Sequence, residues 1–106
     1  MKAGIHLTHK RTGESSFDVV RRFKQAAAAE GLKKYPLGHG GTLDPFAEGL
    51  LLVLAGQATR LMELLHPLPK TYRARIVWGT ETDTCDHLGL PVSEGDASQL
   101  GVDILE

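Results

Sequence analysis

The chain contains very little cysteine and no long apolar run. Its single cysteine, Cys85, excludes an internal disulfide and a zinc site built from cysteine pairs. The longest apolar run, residues 50–55, is far shorter than the roughly 20 residues that a membrane-spanning helix needs. The first residues also lack the apolar stretch of a signal peptide. We therefore expect a soluble protein of a reducing compartment, the cytoplasm, without membrane association.

Basic residues are absent from the last part of the chain. All twelve Lys and Arg lie in residues 1–75 together with six acidic residues, whereas residues 76–106 carry seven acidic residues and no basic one. The first part, with a net charge of +6, suits a polyanion such as RNA, because Lys and Arg neutralise phosphates. Ordinary solvated surface charge explains this asymmetry equally well.

Length and composition indicate one globular domain or part of one. The chain has 106 residues, of which 42% are hydrophobic and 24% charged, so it can bury one modest core.

A glycine-rich loop at residues 38–45 (GHGGTLDP) is the most informative segment of the sequence. Pro45 disfavours the α region for Asp44, and the glycines allow the backbone to approach a ligand closely. The carboxylate of Asp44 is therefore presented by a loop and could act on a substrate. A simple Asp-Pro turn beside a glycine hairpin is the alternative interpretation.

Local patterning predicts three elements in the first half of the chain. Residues 4–9 alternate apolar and polar side chains, as a strand does. Residues 17–29 carry apolar side chains at helical spacing, with Ser15 or Ser16 as the N-cap. The apolar run at residues 50–55 predicts a buried strand.

The second half is predicted to begin with an amphipathic helix at residues 57–66 and a strand at residues 70–79. Residues 80–89 have turn chemistry, and residues 90–92 could form a short edge strand. The buried face of the predicted strand would consist of Tyr72, Ala74, Ile76 and Trp78. The expected fold class is α+β, with a mixed, mainly antiparallel sheet and two flanking helices.

Other catalytic arrangements find little support in the sequence. Residues 82–86 (TDTCD) could be taken for a metal loop, but their oxygen-ligand spacing is incomplete, which favours a structural turn. Cys85 and His87 are too close in sequence to face one another as nucleophile and base. A hydrolase using Asp44 and Glu48 is a remote alternative.

The glycine-rich loop, with Ala47, Gly49 and Leu50 after it, carries a family resemblance. Further matches are Lys10 with Gly13, Ser15 and Ser16, then residues 56–60 (GQATR), then residues 82–84 (TDT). Over about residues 5–92 the chain resembles bacterial tRNA pseudouridine synthases of the TruB type. The resemblance implies isomerisation of a uridine in the T stem-loop of tRNA, with no metal or organic cofactor and no binding to DNA.

The resemblance also implies roles for individual residues. Asp44 matches the essential catalytic aspartate, and Tyr72 matches an active-site tyrosine that stacks on the flipped uracil. Aspartate is ordinarily ionised at neutral pH, so Asp44 could attack as a nucleophile or move protons. His39 matches the residue that packs within the rearranged RNA loop. The other expected RNA-binding residues are Lys10, Gly41, Thr42, Lys70 and Arg73. For Tyr72 a core position is the alternative, and for the cations ordinary surface charge.

The chain departs from the family pattern in two ways. Arg11 and Glu14 replace residue types usual in the entry turn. The resemblance also implies a longer catalytic domain, whose later half supplies an arginine that pairs with the aspartate, whereas no basic residue follows Arg75 here. We therefore expect a partial catalytic domain at residues 1–94 and an acidic tail at residues 95–106 that could begin a helix.

Two interpretations follow for the whole chain. In the first, a complementary C-terminal half on another chain completes the enzyme. In the second, the chain is an inactive or split fragment that acts as an RNA-binding or interaction module.

Overall fold

The computed structural model describes residues 1–96 and residue 98, and the chain divides into two units, Met1–Lys70 and Thr71–Glu106. The described residues contain two α-helices and antiparallel sheets, so the predicted α+β class is confirmed. No helix in this described part is long and apolar enough to cross a membrane.

Three antiparallel strands organise the first unit. They are β1 (Gly4–Lys10), β2 (Leu37–His39) and β3 (Gly49–Ala55), in the order β1-β3-β2. The strand β3 lies in the centre and pairs on both sides, which explains its continuous apolar sequence. Both strands predicted in this region, at residues 4–9 and 50–55, are confirmed.

The helix α1 (Ser16–Ala29) connects β1 to β2, as the apolar spacing predicts. Ser15 is its N-cap: the Ser15 hydroxyl accepts a hydrogen bond from the Asp18 amide at 3.0 Å, and the Asp18 carboxylate accepts one from the Ser15 amide at 2.9 Å. This reciprocal pair is a capping box, which satisfies two amides that the helix leaves free at its start.

The core of the first unit lies between α1 and the sheet. Val19 of α1 packs against Leu51 and Val53 of β3, and all three are buried. Phe23 and Leu37 cover the edges of this cluster. The packing fixes the start of α1 relative to β3, the strand that follows the loop carrying Asp44.

The predicted helix at residues 57–66 is wrong in type and length. The structure has a 3₁₀ helix at Gly56–Leu61 followed by one α-helical turn, α2 (Met62–Leu65). Neither segment has a side-chain N-cap, and the Thr59 hydroxyl bonds the Gly56 carbonyl at 2.9 Å, three residues back. Local bonding of this kind competes with the wider α-helical pattern.

Glycines allow α2 to lie close to β2. A Cβ atom added at Gly38 would lie 2.6 Å from Cε of Met62, and one at Gly40 would lie 3.1 Å from Cδ1 of Leu65. Two glycines of the predicted loop therefore serve close packing in addition to shaping the loop.

In the second unit the predicted strand at residues 70–79 is wrong. Residues 71–77 have no regular structure, and β4 (Thr80–Thr82) pairs with β5 (Pro91–Glu94) in the described sheet. Tyr72 is 66% exposed and Trp78 48% exposed, so the alternating pattern buries no face here. A strand needs a hydrogen-bonded neighbour, and none pairs with this segment within the described residues. The short strand predicted at residues 90–92 corresponds to β5.

The loop between β4 and β5 is held by its own side chains. The Asp83 carboxylate accepts a hydrogen bond from the Leu90 amide at 2.8 Å, and the Asp86 carboxylate accepts one from the Thr84 hydroxyl at 2.6 Å. The Thr84 hydrogen bond, with that of the Leu88 amide, lowers the pKa of Asp86. The structural-turn interpretation of residues 82–86 is confirmed.

The predicted acidic tail at residues 95–106 lies almost entirely outside the described residues, as does the helix that it could begin. Of this segment the structure describes a turn in which the Asp96 carboxylate accepts a hydrogen bond from the Ser98 amide at 2.8 Å.

Candidate active site

The aspartate loop runs from the end of β2 to the start of β3. After His39 the chain bends at Gly40 and Gly41, leaves regular structure, and turns at Pro45. The Ala47 amide donates a hydrogen bond to the Asp44 carbonyl at 2.9 Å, which closes this turn. Asp44 itself is exposed, and its carboxylate has no hydrogen bond or ion pair within the described part of the chain. The carboxylate is thus open to a ligand.

Lys10 lies in the protein interior, although a phosphate contact was expected of it. Its side chain is 0% exposed, and its ammonium donates to four backbone carbonyls. These are the carbonyls of Arg11 (3.1 Å), Glu14 (2.7 Å), Pro45 (3.3 Å) and Ala47 (2.5 Å). Two of the four belong to the aspartate loop. Lys10 is therefore a buried link between the end of β1 and that loop, and its ammonium is not available to a phosphate in this structure.

The turn that follows β1 also contacts the aspartate loop. The Gly13 amide donates a hydrogen bond to the Pro45 carbonyl at 2.7 Å. Gly13 has a φ of +95°, a conformation that a side chain would strain. The Pro45 carbonyl, directly after Asp44, thus accepts hydrogen bonds from both the Gly13 amide and the Lys10 ammonium.

Arg11 and Glu14, the two departures from the family pattern, close this turn. The Glu14 carboxylate accepts a hydrogen bond from the Arg11 amide at 2.8 Å and pairs with the Arg22 guanidinium. The Arg11 amide, followed by Arg22, lowers the pKa of Glu14. The substituted residues therefore stabilise the turn with an ion pair to α1.

Ser16 is a residue of this region that sequence reasoning missed as a functional candidate. It is 4% exposed, and its hydroxyl bonds both the amide and the carbonyl of Leu43, the residue before Asp44. The sequence showed only a candidate N-cap at this position. Its match to the family pattern beside Ser15 was the one signal available.

Two predicted RNA-binding residues meet beside the loop, while others stand apart. The Lys70 side chain passes over Gly41, with its Cε 3.7 Å from where a Cβ of that glycine would lie. The Lys70 ammonium donates to the carbonyls of His66 and Leu68 at 2.9 and 3.3 Å. Thr42 is exposed between Gly41 and Asp44.

His39 lies at the end of β2, opposite Val53 of β3. The residue is half-buried, and its Nδ1 atom is buried without a hydrogen-bond partner among the described residues. A buried ring nitrogen without a hydrogen bond costs free energy.

Tyr72 and Arg73 belong to the second unit, where both are exposed in the irregular segment. The core position considered for Tyr72 is therefore wrong. The first unit contains Asp44, His39, Gly41, Thr42 and Lys70.

Glu48, the second carboxylate of the hydrolase alternative, lies near a different group. Its Oε2 atom is 3.7 Å from Nε2 of His9, at the exposed end of the β1–β3 pair. Within residues 1–96 and residue 98, no group of three His, Cys, Asp or Glu side chains could hold a metal ion.

Comparisons with known proteins place the chain in a family. Residues 29–104 match the model of the TruB family pseudouridylate synthase (N terminal domain). The chain is 47% identical over 97 residues to tRNA pseudouridine synthase B of Symbiobacterium thermophilum, which covers 92% of this chain and 31% of that protein. It is 43% identical over 103 residues to tRNA pseudouridine synthase B of Aquifex aeolicus, which covers 97% of this chain and 34% of that protein.

The protein of the same name from Geobacter sulfurreducens is 42% identical over 97 residues, which covers 92% of this chain and 30% of that protein. The chain thus matches less than half of the length of each of these relatives. It belongs to the TruB family of pseudouridylate synthases and carries sequence of the N-terminal domain of that family.

Proposed function

We propose that this chain forms the N-terminal part of a tRNA pseudouridine synthase in which Asp44 is the catalytic carboxylate. The single observation that carries the proposal is the exposed carboxylate on a loop whose backbone is tied down on both sides. The names of the relatives supply the class of substrate, tRNA.

A free carboxylate suits the bond changes of this isomerisation. The bond between ribose C1′ and uracil N1 breaks, a bond between C1′ and C5 forms, the C5 proton leaves, and N1 takes up a proton. Atoms and electrons balance without an oxidant or a co-reactant. An ionised carboxylate can attack C1′ or take the C5 proton, and both roles require the reacting oxygen to be unoccupied.

The substrate proposed is the T stem-loop of tRNA, with its loop uridine as the target. The base must leave its stack to reach a loop carboxylate, and an aromatic ring that stacks on it offsets that cost. We assign this stacking to Tyr72, whose ring is exposed, and contacts within the opened RNA loop to His39.

Phosphate contacts are assigned to Lys70 and Arg73, with backbone approach at Gly41 and Thr42. Arg21 and Arg22 lie on α1 and are paired with Asp18 and Glu14, respectively. These ion pairs compensate the charges of the two arginines. Unpaired cations are the better candidates for phosphate, because their charge can replace the counterions that the nucleic acid releases on binding.

The proposal also includes a partner for this chain and a cellular compartment. We propose that the remainder of the catalytic domain, with the arginine that the family implies, completes the site, either on another chain or as further sequence. Cys85, an exposed free thiol, is compatible with a reducing cytoplasm.

The test uses the purified chain, alone and with the C-terminal part of a relative added. A T stem-loop RNA with tritium at C5 of its uridine is compared with an anticodon stem-loop labelled in the same way. In the presence of the added part, we expect tritium release and pseudouridine from the T stem-loop. The anticodon stem-loop should release no tritium and form no pseudouridine.

Two other outcomes would support a different function. Free uracil would indicate hydrolysis and contradict the proposal. RNA binding that weakens with salt, without product at any enzyme concentration even with the added part, would favour the alternative of a non-catalytic RNA-binding module.

A further inference from the structure

We propose that Ser16 is a positioning residue that holds the backbone before Asp44, so that the free carboxylate has one defined location. The inference rests on the proposed function of Asp44. It concerns a hydroxyl on a different element, remote in sequence from the loop that it bonds.

The first argument is the freedom of the Asp44 side chain. No hydrogen bond within the described residues orients its carboxylate, so its position depends on the backbone to either side. An error of about 1 Å in the placement of a reacting group can cost on the order of a hundredfold in rate. A site of this kind needs its loop backbone to be fixed.

The second argument is the geometry at Ser16. The Leu43 amide donates to the Ser16 hydroxyl at 3.0 Å, and the hydroxyl donates to the Leu43 carbonyl at 3.2 Å. A hydroxyl can do both at once, because it has one hydrogen and two lone pairs. At 4% exposure, water cannot readily take its place.

The third argument is the rigidity of the element that carries the hydroxyl. Ser16 is the first residue of α1 and lies between Ser15 and Asp18, the two residues of the capping box. The same helix packs Val19 into the core against β3. The hydroxyl is therefore fixed to the centre of the unit before it contacts the loop.

The other side of Asp44 is held independently. The Pro45 carbonyl accepts hydrogen bonds from the Gly13 amide and the Lys10 ammonium. Residues 10–16 thus bind the loop immediately before and immediately after the carboxylate. Ser16 is the only member of this group that acts on the preceding side among the described contacts.

The experiment compares Ser16→Ala with Ser15→Ala in the full chain. Both variants lose one hydroxyl at the start of α1, but only Ser16 touches Leu43, whereas Ser15 caps the helix. The first measurement is hydrogen exchange of the Leu43 amide, which needs no catalytic activity. Exchange should become at least about tenfold faster in Ser16→Ala, and the increase in Ser15→Ala should be clearly smaller.

The second measurement separates catalysis from binding. With enzyme in saturating excess over T stem-loop RNA and with the added C-terminal part, the single-turnover rate of Ser16→Ala should fall by roughly ten- to a hundredfold, while its Kd for RNA is unchanged. Ser16→Thr keeps a hydroxyl and should recover most of the rate. Ser15→Ala should lose stability, and its rate should fall much less than that of Ser16→Ala.

If Ser16→Ala does not fold, Ser16→Cys replaces it, since a thiol occupies similar space and hydrogen-bonds weakly. The inference is overturned if Leu43 exchange is the same in both alanine variants, or if Ser15→Ala slows the reaction as much as Ser16→Ala. A wild-type chain that makes no pseudouridine contradicts the proposed function instead, and the exchange comparison still decides whether Ser16 holds the loop.

Discussion

Lys10 shows how a single residue can hold two segments together without an ion pair. A buried ammonium is costly unless its hydrogens are bonded, and here four carbonyls surround it. The carbonyls come from the turn after β1 and from the aspartate loop. Lys10 therefore stabilises the loop from within the protein, where its ammonium is bonded to backbone carbonyls.

Replacing Lys10 tests this role. Lys10→Met keeps the apolar stem but removes the donor from four acceptors, two of which belong to the aspartate loop. The free energy of unfolding should fall by about 1–3 kcal/mol, the range expected when buried polar groups lose a partner. Urea denaturation, with the midpoint and slope fitted separately, measures the change.

Lys33→Met is the matched control, because Lys33 is exposed and has no hydrogen bond or ion pair within the described residues. Its urea midpoint should equal that of the wild type. Equal midpoints for Lys10→Met and Lys33→Met would show that the buried ammonium contributes nothing.

At the scale of elements, the N-terminus of α1 is the structural base of the site. Its capping box fixes the helix start, and the next residue contacts the aspartate loop. Hydrogen bonds from the Ser15 amide and hydroxyl lower the pKa of Asp18, and the Arg21 guanidinium contributes further.

This lowered pKa makes the stability of α1 depend on pH. A carboxyl whose pKa is lower in the folded state stabilises the fold above its ordinary range, near 3.8, and loses that contribution as the pH falls through the lowered value. Asp18→Asn does not titrate. The stability gap between wild type and Asp18→Asn should therefore be constant above about pH 5 and close under acid conditions.

Urea unfolding followed by circular dichroism at a series of pH values measures this gap. Glu63→Gln serves as the control, since Glu63 is exposed and makes no described ion pair or hydrogen bond. A gap for Asp18→Asn that stays constant into strong acid would contradict the role assigned to the capping box.

The sequence predicted an element correctly where the element is stabilised by its own residues, or where its partner strand can also be recognised in the sequence. The helix α1 has its own cap and apolar stripe, and β3 has an apolar run that only a central strand requires. The segment at residues 70–79 has a strand pattern of equal quality, but no partner strand pairs with it in the described structure. Periodicity identifies which face a strand would bury and cannot supply its neighbour.

The carboxylate of the candidate site could be predicted from the sequence, but the residues that hold its loop in place could not. The loop sequence at residues 38–45 made Asp44 a candidate, because glycine and proline act on the backbone locally, and the family resemblance implied its catalytic role. The bonds from Lys10 and Ser16 join positions 35 and 27 residues apart, respectively, in the sequence. Contacts at such separations depend on the packing of α1 on the sheet, which local patterns do not specify.

At the scale of the whole molecule, the chain combines a basic first part with an acidic second part. The three relatives compared above are each matched over 30–34% of their length, so the chain corresponds to about a third of each of them. The central claim is that Asp44 performs chemistry on a uridine and is not merely part of a structural turn.

Asp44→Asn tests that claim most directly, because asparagine keeps the shape of the side chain and removes its charge. The measurement is tritium release from the T stem-loop at saturating enzyme, with RNA affinity determined in parallel for wild type and variant. We predict a fall in the rate of roughly a hundred- to ten-thousandfold with unchanged RNA affinity. A variant that keeps the wild-type rate would contradict the account.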